Sequence, residues 1–430
     1  MKTYFSQKQF EKKLCPFIYI VLVMMLIALV SCNNSIKVIP VDGIALNVTA
    51  LTMELGNEQP LTVSISPENA TNQKLLWSSS DNTVADISES GVITAISEGI
   101  ATIAVSTVDG GKSAECIVTV ENPIVFAIAH TDHWLEAVDF IKENDDNNKY
   151  KILFLNDLTI PGSRYPTFGE KKNIIVSIHG NHIINKSTGW SFLNVGPYQT
   201  IIIEDIIFDS TGWSSSLINV EGDEAVFIMK GNSILRKGLR GVYVRNEGSF
   251  YMYDGLITNN LSFGGSGVYL VNNALFTMYG GMISDNHTHD IPGPPPNSPG
   301  GGVFVDRSTF IMKGGSITGN SSYDPGGGVY VIRGTFYMSS GIIANNETIY
   351  GGVGGVYLEN NSDFIMSGGI IYGSEASGVE PELANKGGIL SALYRASWLY
   401  DVTQYGDGTD ILPHIDDHIS GTGHTIIGRE

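Results

Sequence analysis

GVYVRNEGSFYMYDGLITNN, residues 241–260, returns four more times in altered form. The later versions are GVYLVNNALFTMYGGMISDN (267–286), GVFVDRSTFIMKGGSITGN (302–320), GVYVIRGTFYMSSGIIANN (328–346) and GVYLENNSDFIMSGGIIYG (355–373). Their first valines are Val242, Val268, Val303, Val329 and Val356, in steps of 26, 35, 26 and 27 residues. The long step holds a proline- and glycine-rich loop, HTHDIPGPPPNSPGG. A near-constant period of this size marks a stacked repeat. Each unit alternates along Gly-Val-Tyr-Val, alternates again along Phe-x-Met, and ends in Gly-x-Ile and Asn. Period-2 runs punctuated by glycine read as short strands, and no unit carries a helical stripe.

One such unit cannot enclose a core, but a stack can. If each strand pairs in parallel with its equivalent about 4.8 Å away, like residues form inward ladders. The phenylalanines Phe250, Phe276, Phe310, Phe336 and Phe364 make one ladder, and Met252, Met278, Met312, Met338 and Met366 make the next. This is a parallel β-helix. Asn260, Asn286, Asn320 and Asn346 fit an internal ladder at a tight turn, where Asn tolerates left-handed backbone. Weaker units continue upstream, through Phe227 and Met229, SSLINV, SFLNV, KNIIVSIHGNHII and YKILFLNDLTI. The spacing predicts roughly nine coils from Lys149 to Gly373, a rod of roughly 40 Å.

This half of the chain resembles right-handed parallel β-helix proteins of the pectin-lyase-like superfamily, and its repeats are similar to those of bacterial surface and adhesin-like proteins. The resemblance implies the fold far more strongly than any activity.

The chain starts with Lys2, Lys8, Lys12 and Lys13 against Glu11, followed by an apolar run of fourteen residues, Phe17–Val30. That run is short of the ~20 residues of a spanning helix and reads as a secretory signal. Leu29-Val30-Ser31-Cys32 resembles the lipobox of bacterial lipoproteins. The resemblance implies cleavage before Cys32, acylation of Cys32 and, with no Asp after the cysteine, the outer membrane. Several acyl chains at about 0.8 kcal/mol per buried CH₂ make a stable anchor. Of the other cysteines, Cys15 lies in the leader, and Cys116 sits in the alternating run SAECIVTV, where a buried apolar role is expected.

Residues 38–121 show short alternating runs about every ten residues, with turn signals between, the pattern of a β-sandwich. Leu55-Gly56, Pro67-Glu68-Asn69-Ala70, Trp77-Ser78-Ser79-Ser80, Val84-Ala85, Gly91-Val92-Ile93-Thr94-Ala95 and Gly99-Ile100-Ala101-Thr102-Ile103 resemble the bacterial Ig-like domain, group 2. Such domains serve as spacers or adhesion modules, and Trp77 is expected between the sheets.

Between the two regions, Thr131 or Asp132 can cap a helix with Trp134, Leu135, Val138 and Ile141 on one face. It would cover the open first coil. His130 and His133 flank its start without a third ligand in sight. Beyond Gly373 the Phe-x-Met slot is lost, and one or two last coils with a closing hairpin are expected.

Glycoside hydrolysis requires two facing carboxylates about 5–10 Å apart. Glu204, Asp205 and Asp209, or Asp223 and Glu224, are the candidates, with Arg236, Lys237 and Arg240 as the nearby basic group. The clearest repeats place no carboxylates in a shared cluster. Neither His287, His289 and Asp290 nor His414, Asp416, Asp417 and His418 has metal-site spacing, so no metal and no cofactor are expected. The net charge is −19, or about −22 once residues 1–31 with their four lysines and one glutamate are gone. That disfavours nucleic acid and anionic lipid headgroups. Tyr243, Tyr269, Phe304, Tyr330 and Tyr357 share the slot between two valines. With the valines inward they form an outward aromatic stripe about 19 Å long, suited to sugars or a protein. With the valines outward they form a core ladder, and stacked on each other they merely stiffen the rod.

The expected chain is all-β: an Ig-like β-sandwich, then a right-handed parallel β-helix with a short N-terminal capping helix. Its parts are a lipoprotein signal peptide (1–31), tether (32–37), Ig-like domain (38–121), linker and capping helix (122–148), β-helix (149–376) and C-terminal coil and cap (377–430). The expected role is a non-enzymatic, adhesin-like surface lipoprotein that binds glycan or a host or neighbour-cell protein. A surface-displayed polysaccharide lyase or glycoside hydrolase, and a structural envelope protein, are the alternatives.

Overall fold

A computed structural model describes residues 37–372, apart from 145–147, 171–172, 188, 211–214, 290–298, 351–352 and 360–361, together with Asn385 and the strands 393–395, 402–404, 419–420 and 424–426. It divides into two compact units at Asn122/Pro123. The leader, Cys32 and most of the tail lie outside the described residues.

In the first unit, a four-stranded sheet joins Ala50–Glu54, Ser113–Glu121, Gly99–Thr107 and Leu75–Ser79. A three-stranded sheet joins Glu58–Pro60, Val92–Ala95 and Ala85–Ile87. Inward residues of both, among them Ile93, Ile103, Cys116 and Val118, are fully buried in one cluster.

The second unit is a parallel β-helix of about nine turns. One sheet carries the Phe-x-Met strands and, beside them, the Gly-x-Ile strands, and an eight-stranded sheet carries the Val-x-Val strands. The register is the one the repeats dictate. Phe227, Phe250, Phe276, Phe310, Phe336 and Phe364 lie opposite one another in series, and so do the methionines two residues on. All are buried, with phenylalanine centroids 4.7–5.2 Å apart. The repeat glycine before Ile answers to two demands. Gly281 and Gly315 have φ of 79° and 78°, and a Cβ on either would stand 2.7 or 2.6 Å from the Met Cε of the coil below.

The asparagine ladder is present and longer than the repeats foretold. Asn260, Asn286, Asn320, Asn346 and Asn385 are all fully buried. Each Nδ2 donates to the next Oδ1, at 2.9, 2.9, 3.0 and 3.1 Å. The left-handed backbone belongs instead to the residue before: Asn259, Asp285, Gly319 and Asn345, with φ of 51–67°. A ladder Asn is kept for its amide, which also reaches a carbonyl of the previous coil, such as Ile257 O from Asn286 at 2.9 Å.

The rod starts earlier than Lys149. Ile124–Ile128 pairs in parallel with Lys149–Phe154, and the helix Thr131–Glu143, α1, lies between them in sequence. Trp134, Ala137, Val138 and Ile141 are its buried face, with the Trp134 ring 5.7 Å from Phe154 and 6.3 Å from Phe168. Two details differ from the sequence expectation. Leu135 is exposed, Ala137 taking its place inside, and the N-cap is His130 rather than Thr131 or Asp132. Thr131 Oγ1 instead donates to Thr159 O at 2.9 Å, tying the helix start to the first coil. At the far end, strand 393–395 adds one parallel rung to the Val-x-Val sheet, while 424–426 and 419–420 pair antiparallel with Asp363–Met366 and Ile370–Ile371 of the other sheet.

Candidate functional site

Along the Val-x-Val strands, Val242, Val244, Val268 and Leu270 are fully buried, so the slot between them faces away from the core. Its occupants continue as Asn194, Asn219, Tyr243, Tyr269, Phe304, Tyr330 and Tyr357. The rings are outside the core yet far from free. Tyr269, Phe304, Tyr330 and Tyr357 stack with centroids 4.6, 5.4 and 5.3 Å apart and planes within 15°. Tyr243 meets Tyr269 edge-on at 5.3 Å. Glycines of the preceding loops lie flat on them: a Cβ on Gly265 would stand 2.5 Å from the Tyr269 ring, and one on Gly326 would stand 3.0 Å from Tyr330 Cβ. Arg240 stacks over Tyr243 and Tyr269 at 5.5 and 4.5 Å and donates to Gly264 O. Its burial lowers its pKa, the two phenols opposing the shift. Tyr330 is only 8% exposed and donates its hydroxyl to Glu359, whose carboxyl is raised by burial. Stacked rings spend their faces on each other and offer edges alone.

A second aromatic column is open, and sequence reasoning passed over it. It uses the slot just after the buried methionines: Lys230, Tyr253, Tyr279 and Lys313 on four successive coils. Tyr253 and Tyr279 are 47% and 39% exposed and stack at 4.7 Å with planes 6° apart. Lys230 Nζ lies 5.7 Å above the first ring and Lys313 Nζ 5.1 Å from the second. The pattern Met-Lys, Met-Tyr, Met-Tyr, Met-Lys is visible in the repeats once the methionines are known to point inward.

The carboxylates of the early coils hold structure. Asp209, buried, accepts Arg236 Nε at 2.7 Å and Lys237 Nζ at 3.0 Å. Asp205 Oδ1 accepts the backbone and side-chain N–H groups of Asn232 at 2.8 and 3.0 Å. Glu204 sits 3.7 Å from His179 Nδ1. Asp223 accepts the Tyr198 hydroxyl at 3.1 Å, which raises that phenol's pKa, and Glu224 occupies a left-handed turn at φ 52°. Tyr198, Asp223, Glu224 and Glu247 line a shallow groove. Among the described residues, no three His, Cys, Asp or Glu side chains are grouped to hold a metal ion. The rings of His130 and His133 stand 5.2 Å apart, and His133 Nδ1 accepts the Ala129 N–H. His287 Nδ1 pairs with Ser321 Oγ at 2.7 Å. Asp290 and the tail histidines and aspartates lie outside the described residues.

One more group was not foreseen. Lys186 stands in register with the buried Ile160 and is itself 4% exposed. Its Nζ donates to Ser215 Oγ at 3.0 Å and lies 5.6 Å from the Phe192 ring centre. Burial depresses its pKa to about 8.

Within the first unit, the sequence of residues 40–118 matches the family model described as bacterial Ig-like domain (group 2). Those residues are a bacterial Ig-like domain. Alpha-L-arabinofuranosidase of Bifidobacterium longum is 35% identical over 83 residues, 19% of this chain and 8% of that protein. Kappa-carrageenase of Pseudoalteromonas carrageenovora is 35% identical over 82 residues, 19% of this chain and 20% of that protein. These similarities fall within the Ig-like domain. Among solved structures, domains 4 and 5 of the S-layer protein SbsC align with 20% of this chain and 54% of that one, at 21% identity and a TM-score of 0.17. Inside the Ig-like domain, Trp77 is half-buried against the core, and a Cβ on Gly91 would stand 2.8 Å from its ring. Cys116 is free and buried, and burial pushes its thiol pKa up.

Proposed function

We propose that this chain is a non-catalytic cell-surface lipoprotein, in which the Ig-like domain acts as a spacer and the β-helix binds a glycan or a partner protein. An Ig-like domain joined to a β-helix suggests a surface or carbohydrate-associated protein. The observation that carries the reading is a division of labour among outward residues. Asp205, Asp209 and Asp223 are held by Asn232, by Arg236 and Lys237, and by Tyr198, whereas aromatic side chains line up in register on the coil surface. The sugar-active relatives share the spacer and leave the β-helix unmatched, so they support display near carbohydrate and no reaction.

Acylation at Cys32 and placement in the outer membrane belong to the same proposal, resting on Leu29-Val30-Ser31-Cys32. Cells expressing the chain should incorporate labelled palmitate into it, and Cys32→Ser should abolish the label and release the protein from the membrane fraction. Label retained in the variant would remove the anchor from the proposal. Binding is tested by probing glycan and matrix-protein arrays with the purified full chain. Reproducible capture by either class supports the reading, and silence on both favours a purely structural envelope role.

A further inference from the structure

We infer that the column Lys230–Tyr253–Tyr279–Lys313 is a binding strip for an anionic polysaccharide lying along the β-helix axis. The inference rests on the binding role proposed above and assigns it a place and a ligand class.

Four successive coils present this slot outward, because the residue before it, Met229, Met252, Met278 or Met312, is fully buried. The two phenol rings take the middle and the two ammonium groups the ends. At one strand spacing per coil the lysines stand about 14 Å apart. Neither lysine has a carboxylate partner among the described residues. Five other outward cations are paired with carboxylates: Arg236 and Lys237 with Asp209, Arg245 with Glu221, and Arg307 and Arg333 with Asp306.

On a chain of net charge −19, the Lys230 and Lys313 ammonium groups are cationic contacts not taken up by ion pairs. Glu204 continues the slot below Lys230 but faces His179, and Asp254 beside Tyr253 accepts the Gly255 N–H at 2.8 Å. Stiffening the rod requires no charge here, since the phenylalanine and asparagine ladders already set the register. The flanking outward slots hold Tyr251 and Met282, the latter 41% exposed. With the ring faces stacked on each other, phenol donors, exposed ring edges and two cations in line match a chain of sugars with hydroxyls and carboxylate or sulfate groups. Charge complementarity selects this ligand over a neutral glycan.

The test measures affinity of the purified full chain for polygalacturonate, dextran sulfate and neutral dextran at 0.05 and 0.15 M salt. The native chain should prefer one or both polyanions to dextran at least tenfold, and bind them more weakly at the higher salt. Lys230→Ala/Lys313→Ala should lose at least tenfold in polyanion affinity with unchanged thermal unfolding, while Lys230→Arg/Lys313→Arg should retain it. Full affinity in the alanine pair, or equal affinity for dextran, overturns the strip and leaves glycan binding elsewhere on the coil standing. No binding to any of the three polymers, together with silence on the arrays, overturns both.

Discussion

At the scale of single residues, polar groups inside the β-helix decide more than the apolar ones. Asn320 donates to Asn346 and to Ile283 O, and accepts both the N–H and the amide of Asn286. Asn320→Ala strands several of these groups in a dry interior, and should cost about 2–4 kcal/mol in denaturant unfolding. A loss below 1 kcal/mol would mean water enters the ladder. Lys186 makes the opposite prediction. Its folded pKa, about 8, lies below the ordinary 10.5. The unfolded chain therefore binds more protons between those values, and stability should rise as pH climbs from about 8 to 10.5. Below pH 8 the charged, buried lysine is a burden of roughly 1–3 kcal/mol. Lys186→Met should raise the melting temperature at pH 7 and flatten the alkaline rise. An unchanged or lower melting temperature with the rise intact would show that Lys186 has a partner that stabilises its charge. Neither this lysine nor the Lys–Tyr–Tyr–Lys slot was legible beforehand. A lysine next to an apolar run reads as outward until register sets it opposite Ile160, and a residue after Met has no direction until the Met is known to be buried.

At the scale of elements, the repeats were legible because inward ladders demand like residues at like positions: Phe over Phe, Met over Met, Asn over Asn. The first strand, Ile124–Ile128, was not, because a helix interrupts its coil and no Phe-x-Met follows it. Helix α1 was legible from Trp134, Val138 and Ile141, but spacing alone could not choose between Leu135 and Ala137. Since Trp134 fills the open first coil against Phe154 and Phe168, Trp134→Ala should cost about 3–5 kcal/mol, with unfolding followed by far-UV circular dichroism. A minor loss would mean the coil closes without its cap. The stacked column from Tyr243 to Tyr357 belongs at this scale too. Tyr269→Ser/Tyr330→Ser should lower stability by about 1–3 kcal/mol while changing glycan affinity less than twofold. A large affinity loss in the folded variant would restore that column as the ligand face.

At the scale of the whole molecule, the chain joins a short Ig-like domain shared with sugar-active enzymes to a β-helix that those relatives leave unmatched. Both folds were legible from sequence, the first by its wording and the second by its period, whereas the strip proposed for binding was not. A stripe in sequence shows which slot aromatics share, and only the loops packed on it show whether their faces are open. Capture without chemistry is tested by mass spectrometry of a bound glycan. A size-defined oligosaccharide that the chain captures would be incubated with it for a day at neutral pH, then recovered and weighed. A non-catalytic β-helix should leave the oligosaccharide's mass unchanged and yield no new species. Shortened chains, or products lighter by one water from an unsaturated end, would contradict it and return Glu204, Asp205 and Asp209 to consideration as catalytic groups.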